Sequence, residues 1–123
     1  MKHKLWFDAE NEILIFQIID AYTTEEARET ETLFEREFGK SPLRQLLVDL
    51  AKAGPMESRE TRKIQNESMC KAGITDAAFV GANATTRMVA RVMTKLGSET
   101  IPTQFFATTD EAINWLKNQR GRK

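Results

Sequence analysis

The residues with the clearest chemical potential follow a predicted strand, where Gly81-Ala82-Asn83 leads into a helix that carries Arg87 one turn later. Open α/β sheets bind ligands in the loops after the carboxyl ends of their parallel strands. Asn83 and Arg87 therefore form a candidate binding site for an anion or a phosphorylated ligand. The segment matches neither a P-loop nor a dinucleotide fingerprint. A tight turn with an Asn cap and a solvated arginine is the competing interpretation.

The sequence contains few residues from which a catalytic or metal centre could be built. The one histidine, His3, lies near the start of the chain, and the one cysteine, Cys70, lies in a polar predicted helix. Any Ser-His-Asp or Cys-His arrangement would have to use His3, and no potential ligands recur at metal-site spacing. We therefore predict that the protein is not an enzyme and needs no metal or cofactor. Cys70 is interpreted as a small packed residue.

Charge and composition limit the partners further. The 123 residues carry no net charge, but the first 40 contain ten acidic and five basic residues, so the remainder is basic. This distribution lacks the single basic face of a nucleic-acid-binding protein. It suits either charge-selective protein contacts or two ordinary solvated surfaces. No apolar run approaches the roughly 20 residues of a membrane span, and the single cysteine favours a reducing, cytoplasmic location.

The elements that would position these residues alternate between strands and helices. After a hairpin, a capping box of Thr23 and Glu26 opens a helix that Gly39 ends, and a second box of Thr108 and Glu111 opens the last helix. The order β-β-α-β-α-β-α-β-α indicates a single-domain α/β fold, with helices packed on one mixed sheet. The predicted strands are 5–7, 13–19, a short buried strand within 43–50 that ends at Asp49, 75–80 and 102–107. The predicted helices end near residues 38, 72, 96 and 118.

We place the domain at residues 1–118 and a basic, frayed tail at 119–123. Residues 51–57 form a predicted loop, after which Ser58 could cap a helix over 59–72. That helix has few sizeable apolar residues, so it should contact the sheet along one edge and expose a polar, mainly basic face. It is either a weakly packed surface helix or a helix that faces a partner.

Four segments of the chain carry a likeness to a known family. They are Leu47-Val48-Asp49-Leu50, Met56-Glu57-Ser58, Ala78-Phe79-Val80-Gly81 and Phe106-Ala107-Thr108-Thr109-Asp110-Glu111-Ala112. Together with the opening hairpin and the acidic first helix, they resemble the STAS domain. This is the fold of anti-sigma factor antagonists of the SpoIIAA type and of the cytoplasmic tails of sulphate transporters.

The resemblance implies a non-catalytic regulatory module that binds a kinase or an anti-sigma-type protein. The family is regulated at a Ser or Thr that starts the helix after the third strand, and Ser58 occupies that place. Glu57, Ser58, Thr61 and Arg62 are then the expected partner-binding residues, and Ser58 is the candidate phosphosite. A phosphate there would meet the positive end of the helix dipole. The family continues with Ser-Gly-Leu where this chain has Arg59-Glu60-Thr61, and a plain N-cap is the alternative for Ser58.

A second class of function stays open from the sequence. The aromatic residues on the strands and helix faces could line an apolar pocket under the first predicted helix and the third one, over 84–96. The chain would then be a carrier of a small molecule or lipid, acting as a possible homodimer.

Overall fold

A computed structural model describes residues 3–56, 59–81 and 101–120 of the chain. The elements are β1 (Lys4–Asp8), β2 (Ile13–Gln17), β3 (Asp20–Tyr22), α1 (Thr24–Phe38), β4 (Gln45–Asp49), β5 (Ala53–Met56), α2 (Arg59–Lys71), β6 (Asp76–Val80), β7 (Thr103–Phe106) and α3 (Thr109–Arg120).

The main sheet has five strands in the order β1-β2-β4-β6-β7. β1 runs antiparallel to β2, and the other neighbours are parallel. The register places Phe16, Val48, Phe79 and Phe105 side by side across four strands. The α/β class and the mixed sheet predicted from the sequence are confirmed.

The central strands are buried on both faces, which explains their nearly continuous apolar sequences. On one face, side chains such as Phe16, Val48 and Phe79 pack beneath α1 and α2. On the other face, a smaller cluster that includes Leu47 and Leu116 packs beneath α3. Side chains of successive residues point to opposite faces of a strand, so each central strand contributes to both cores.

The predicted start of α1 is confirmed in detail. The backbone N–H of Glu26 donates to the Thr23 hydroxyl at 3.1 Å, and the Thr23 N–H donates to the Glu26 carboxylate at 3.0 Å. The helix ends at Gly39, whose φ of 56° lies in the left-handed region that glycine tolerates best. At α3, the Glu111 N–H donates to the Thr108 hydroxyl at 3.3 Å.

Two short strands were not predicted. Residues 51–57 were expected to be a loop, but β5 pairs in parallel with the three-residue β3 and forms a separate two-stranded sheet. The two strands approach closely at Gly54, where an added Cβ would lie 2.9 Å from the Ala21 nitrogen and the Asp20 carbonyl carbon. Only a residue without a side chain fits this contact without a shift of the backbone.

The predicted helix over 84–96 lies outside the described residues. The last helix spans Thr109–Arg120, so residues 119 and 120, which the sequence analysis assigns to the tail, are helical. The Arg120 Nε–H donates to Oε1 of Gln45 at 2.8 Å, while Nε2 of Gln45 donates to the Leu116 carbonyl at 2.6 Å. These bonds connect the end of α3 to the start of β4.

Candidate functional site

The carboxyl edge of the sheet is where the sequence predicts a site, and Asp49 organises it at the end of β4. Its Oδ1 accepts the Ala51 N–H at 3.0 Å, and its Oδ2 accepts the side-chain N–H of Gln17 at 3.2 Å. Gly81, at the end of β6, has a φ of 77°, and its Cβ position lies 3.2 Å from the Ala51 side chain. The turns after β4 and β6 therefore pack against each other.

The predicted phosphosite and anion site fall on residues that the structure does not describe. Glu57, Ser58, Asn83 and Arg87 lie outside the described residues, so their roles stay predictions. α2 begins at Arg59, directly after Ser58 in the sequence. The predicted helix over 59–72 therefore agrees closely with the observed one.

Thr61 does not lie on the surface, contrary to its predicted role in partner binding. Thr61 is 0% exposed, and its hydroxyl oxygen lies 2.8 Å from the hydroxyl oxygen of Thr24 on α1. The sequence pattern did not predict this burial, because a threonine in the first turn of a polar helix is usually solvated. Arg62, the next residue, lies in the same first turn of α2.

The inner face of α2 is mostly polar, which is the main feature that the sequence reasoning missed. Thr61, Gln65 and Ser68 are buried, together with Met69 at the end of the helix. The Ser68 hydroxyl donates to the Ala27 carbonyl of α1 at 3.3 Å. The spacing of these residues by three and four positions marks one helix face, and this spacing was the available signal.

A buried tyrosine connects β3 to both helices. The Tyr22 hydroxyl donates to Oε1 of Gln65 and lies 2.8 Å from the Thr30 hydroxyl. Thr30 also lies 2.7 Å from the Glu26 carbonyl, and its single proton can serve only one of these acceptors at a time. Nε2 of Gln65 is buried without a hydrogen-bond acceptor among the described residues. Burial raises the pKa of Tyr22 despite the Thr30 hydrogen bond, so the hydroxyl stays neutral.

The outer face of α2 carries both signs of charge. Two ion pairs connect its ends to α1, Arg28–Glu60 at 3.9 Å and Lys71–Glu31 at 3.7 Å. Cys70 is exposed, so its interpretation as a packed residue is wrong. The exposed residues of this face, among those whose side chains are described, are Glu60, Lys63, Glu67, Cys70 and Lys71.

His3 is buried and holds a structural position. Its Nδ1 accepts the Ile19 N–H at 2.9 Å, so the proton of a neutral ring lies on Nε2. Nε2 is 3.1 Å from Oε1 of Glu26, without the alignment of a good hydrogen bond. Burial alone would raise the pKa of Glu26, but the hydrogen bond from the Thr23 backbone and the proximity of the His3 ring outweigh it and lower the pKa.

No group of three or more histidine, cysteine or carboxylate side chains within 3–56, 59–81 and 101–120 could hold a metal ion. No helix in this part of the chain is long and apolar enough to cross a membrane.

The fold defines a SpoIIAA-like α/β protein, as the sequence resemblance predicted. An uncharacterised DUF3478-family protein with a SpoIIAA-like fold, from Shewanella loihica PV-4, matches with a TM-score of 0.66. The two chains are 17% identical over 93% of this chain and 91% of that one. The anti-sigma factor antagonist SpoIIAA in its unphosphorylated form matches with a TM-score of 0.61 and 11% identity, over 94% of this chain and 97% of that one. At these identities, the likeness shows the fold.

The family follows from the sequence match. The model of a domain of unknown function, DUF7793, matches residues 6–120, and the chain belongs to this family. No curated protein matches the chain.

Proposed function

We propose that this chain is a non-catalytic, regulatory protein-binding module that a phosphate on Ser58 switches. Its partner would be a kinase or an anti-sigma-type protein, bound by Glu57, Ser58, Arg62 and the exposed face of α2. The single observation that carries the proposal is the start of α2 directly after Ser58, at the carboxyl edge of a SpoIIAA-like sheet.

The chemistry of a helix start supports a phosphate at this place. The first backbone N–H groups of a helix lack acceptors within the helix, and the helix dipole places partial positive charge there. A phosphoserine adds about two negative charges and three acceptor oxygens. These groups could bind the free N–H groups of α2, and the new charge would repel an acidic partner.

The construction of α2 supports a partner surface on its outer side. Polar contacts by Thr61 and Ser68 hold the helix against α1, and Gln65 accepts a hydrogen bond from Tyr22 of β3. Its outer face, where Lys63 and Glu67 are exposed, therefore remains available. An exposed face with both signs of charge suits a partner of complementary charge pattern.

The proposal is tested by affinity purification of the full chain from its native host, with mass spectrometry of the bait and its companions. Ser58→Glu should reduce recovery of the partner about tenfold, while Ser58→Ala should leave it unchanged. Thr109→Glu is the matched control, because Thr109 is exposed at the start of α3 on the opposite face of the sheet. Equal recovery with the Glu and Ala variants would refute the switch.

The carrier function remains the second candidate. Beneath α1, Phe16 and Phe34 are fully buried, and their rings meet edge to face at 5.8 Å. Side chains therefore fill this part of the space in which a ligand was expected. Organic extraction of purified protein followed by mass spectrometry would distinguish the two functions, because a carrier retains an apolar molecule in stoichiometric amount.

A further inference from the structure

Strand β1 lies at one edge of the sheet, and within the described residues it pairs only with β2. An edge strand offers a row of unused backbone N–H and C=O groups to another chain. β1 also carries Trp6, the one large apolar residue of the described part of the chain that is exposed, at 42%. This combination marks the edge as a surface that a further strand could cover.

The sequence of β1 is complementary to itself in charge. Lys4, Trp6 and Asp8 point to the same face of the strand, because side chains alternate. If two copies of β1 pair antiparallel about a two-fold axis at Trp6, each Lys4 lies opposite the other copy's Asp8. Opposite charges at facing positions stabilise antiparallel pairs, and a two-fold interface uses the same patch on both subunits.

We propose that β1 pairs with β1 of a second copy of this chain, antiparallel and centred on Trp6, to form a homodimer with a continuous ten-stranded sheet. The two Trp6 side chains face each other at the axis, and two Lys4–Asp8 pairs flank them. This interface is independent of the partner surface proposed on α2.

The charge of Asp8 supports this arrangement. The side-chain hydrogen bond from Asn11, at 2.8 Å, lowers the pKa of Asp8 against the opposing effect of burial. The carboxylate therefore stays ionised at neutral pH. Its Oδ1 accepts the N–H groups of Glu10 and Asn11, and Oδ2 retains a lone pair that can face a lysine.

The helices leave room for such a dimer. α1 lies over β1 and β2, where Phe38 contacts Phe7 with ring centroids 6.3 Å apart and Phe34 contacts Phe16. Strands are about 4.8 Å apart, so two α1 helices related by the axis would be about 10 Å apart. Packed helices are typically separated by about this distance. On the opposite face, α3 packs over a cluster that includes Ile13 and Val80, and its last turn reaches the turn after β1, where Arg120 donates to the Asn11 carbonyl. Trp6 remains 42% exposed on this face.

The first test is the mass of the full chain measured by sedimentation over a range of concentrations. The wild type should move from 14.0 kDa towards twice that mass as concentration rises. Lys4→Glu places like charges opposite each other twice in the dimer and should raise the dissociation constant roughly tenfold. Lys40→Glu makes the same charge change at an exposed residue beyond α1 and should have no effect.

The second test determines which residues of the two β1 strands face each other. In a Cys70→Ser background, Trp6→Cys should form an intermolecular disulfide, because directly opposed residues have Cα atoms about 5 Å apart. Lys4→Cys in the same background should not, because the two introduced cysteines would be offset by four residues, about 13 Å along the strands. Circular dichroism would verify that both variants fold.

Two results would overturn the proposal. One is a wild-type chain that stays at 14.0 kDa up to about 1 mM. The other is a disulfide that forms through Lys4→Cys as readily as through Trp6→Cys, because that result requires a different register.

Discussion

Nε2 of His3 lies 3.1 Å from Oε1 of Glu26, and this contact ties the start of the chain to the first turn of α1. The same carboxylate accepts the Thr23 N–H in the capping box. Glu26 therefore has two structural roles, the cap of α1 and the partner of the buried imidazole. The stability of this corner should depend on the charge of one carboxylate.

We predict that Glu26→Gln reduces the acid sensitivity of the fold. The pKa of Glu26 is lower in the folded chain than its ordinary value of 4.5. Its stabilising contribution is therefore complete above 4.5 and is lost as the pH falls through the lower folded value. Glutamine can still cap the helix, so the variant should lose about 1 kcal/mol at neutral pH but show a shallower decline in acid. Urea unfolding at several pH values measures both effects.

Glu29→Gln provides the control for this acid effect. Glu29 is exposed on the same helix, so its variant should follow the wild-type pH profile. An identical acid profile for the wild type and Glu26→Gln would contradict the assignment.

The contributions of the Tyr22 hydroxyl and of Gln65 to the stability of the fold should be strongly coupled. Tyr22→Phe removes the donor to Oε1 of the buried Gln65, and an unsatisfied buried polar group costs about 1–3 kcal/mol. The double variant Tyr22→Phe with Gln65→Leu should be more stable than the sum of the single variants implies. Chemical denaturation of all four chains measures the coupling, and additive effects would show that the two side chains act separately.

The single tyrosine of the chain makes its ionisation directly observable. Burial raises the pKa of Tyr22 above its ordinary value of 10.0, so the folded protein should show no tyrosinate absorbance near that pH. The contribution of the neutral hydroxyl to stability is complete below 10.0 and is lost as the pH rises towards the folded value. Tyrosinate absorbance that appears near its ordinary pKa while circular dichroism still reports a folded chain would disprove the burial.

Arg120 should set the shortest stable form of the domain. A chain that ends at Asn118 lacks the donor to Oε1 of the buried Gln45, and we expect it to be about 1–3 kcal/mol less stable than a chain that ends at Arg120. Thermal unfolding of the two truncated chains compares them. Equal stability would support the boundary at residue 118 that the sequence predicts.

Substitution of Gly54 should separate β5 from β3. In Gly54→Ala, the new Cβ would lie 2.9 Å from the Ala21 and Asp20 backbone, and the required shift should cost about 2 kcal/mol. Gly39→Ala is the matched control, because its Cβ meets nothing within 4 Å. It should cost only about 1 kcal/mol for its positive φ. Urea unfolding ranks the two variants, and an equal or smaller effect at Gly54 would argue against the close approach.

Much of the fold could be predicted from the sequence, because the decisive signals are local. The capping box of Thr23 and Glu26 involves residues three positions apart, and Gly39 ends the helix within its own turn. The apolar run of β2 reflects burial on both faces of one strand. The alternation of such strands with helices then restricts the connections to right-handed crossovers, and it supported the SpoIIAA-like prediction.

The remaining features depend on residues that are distant in the sequence. β3 has only three residues and gains its identity from pairing with β5, more than 30 positions later. Thr61 is buried because α1 lies against it, and His3 is buried because its ring contacts Phe16 and Tyr22. The sequence by itself determined the five strands of the main sheet and the three described helices, with their order, because the causes of these elements act within a few residues. Only the tertiary structure decided which polar side chains are buried, because burial depends on what the rest of the chain places beside them.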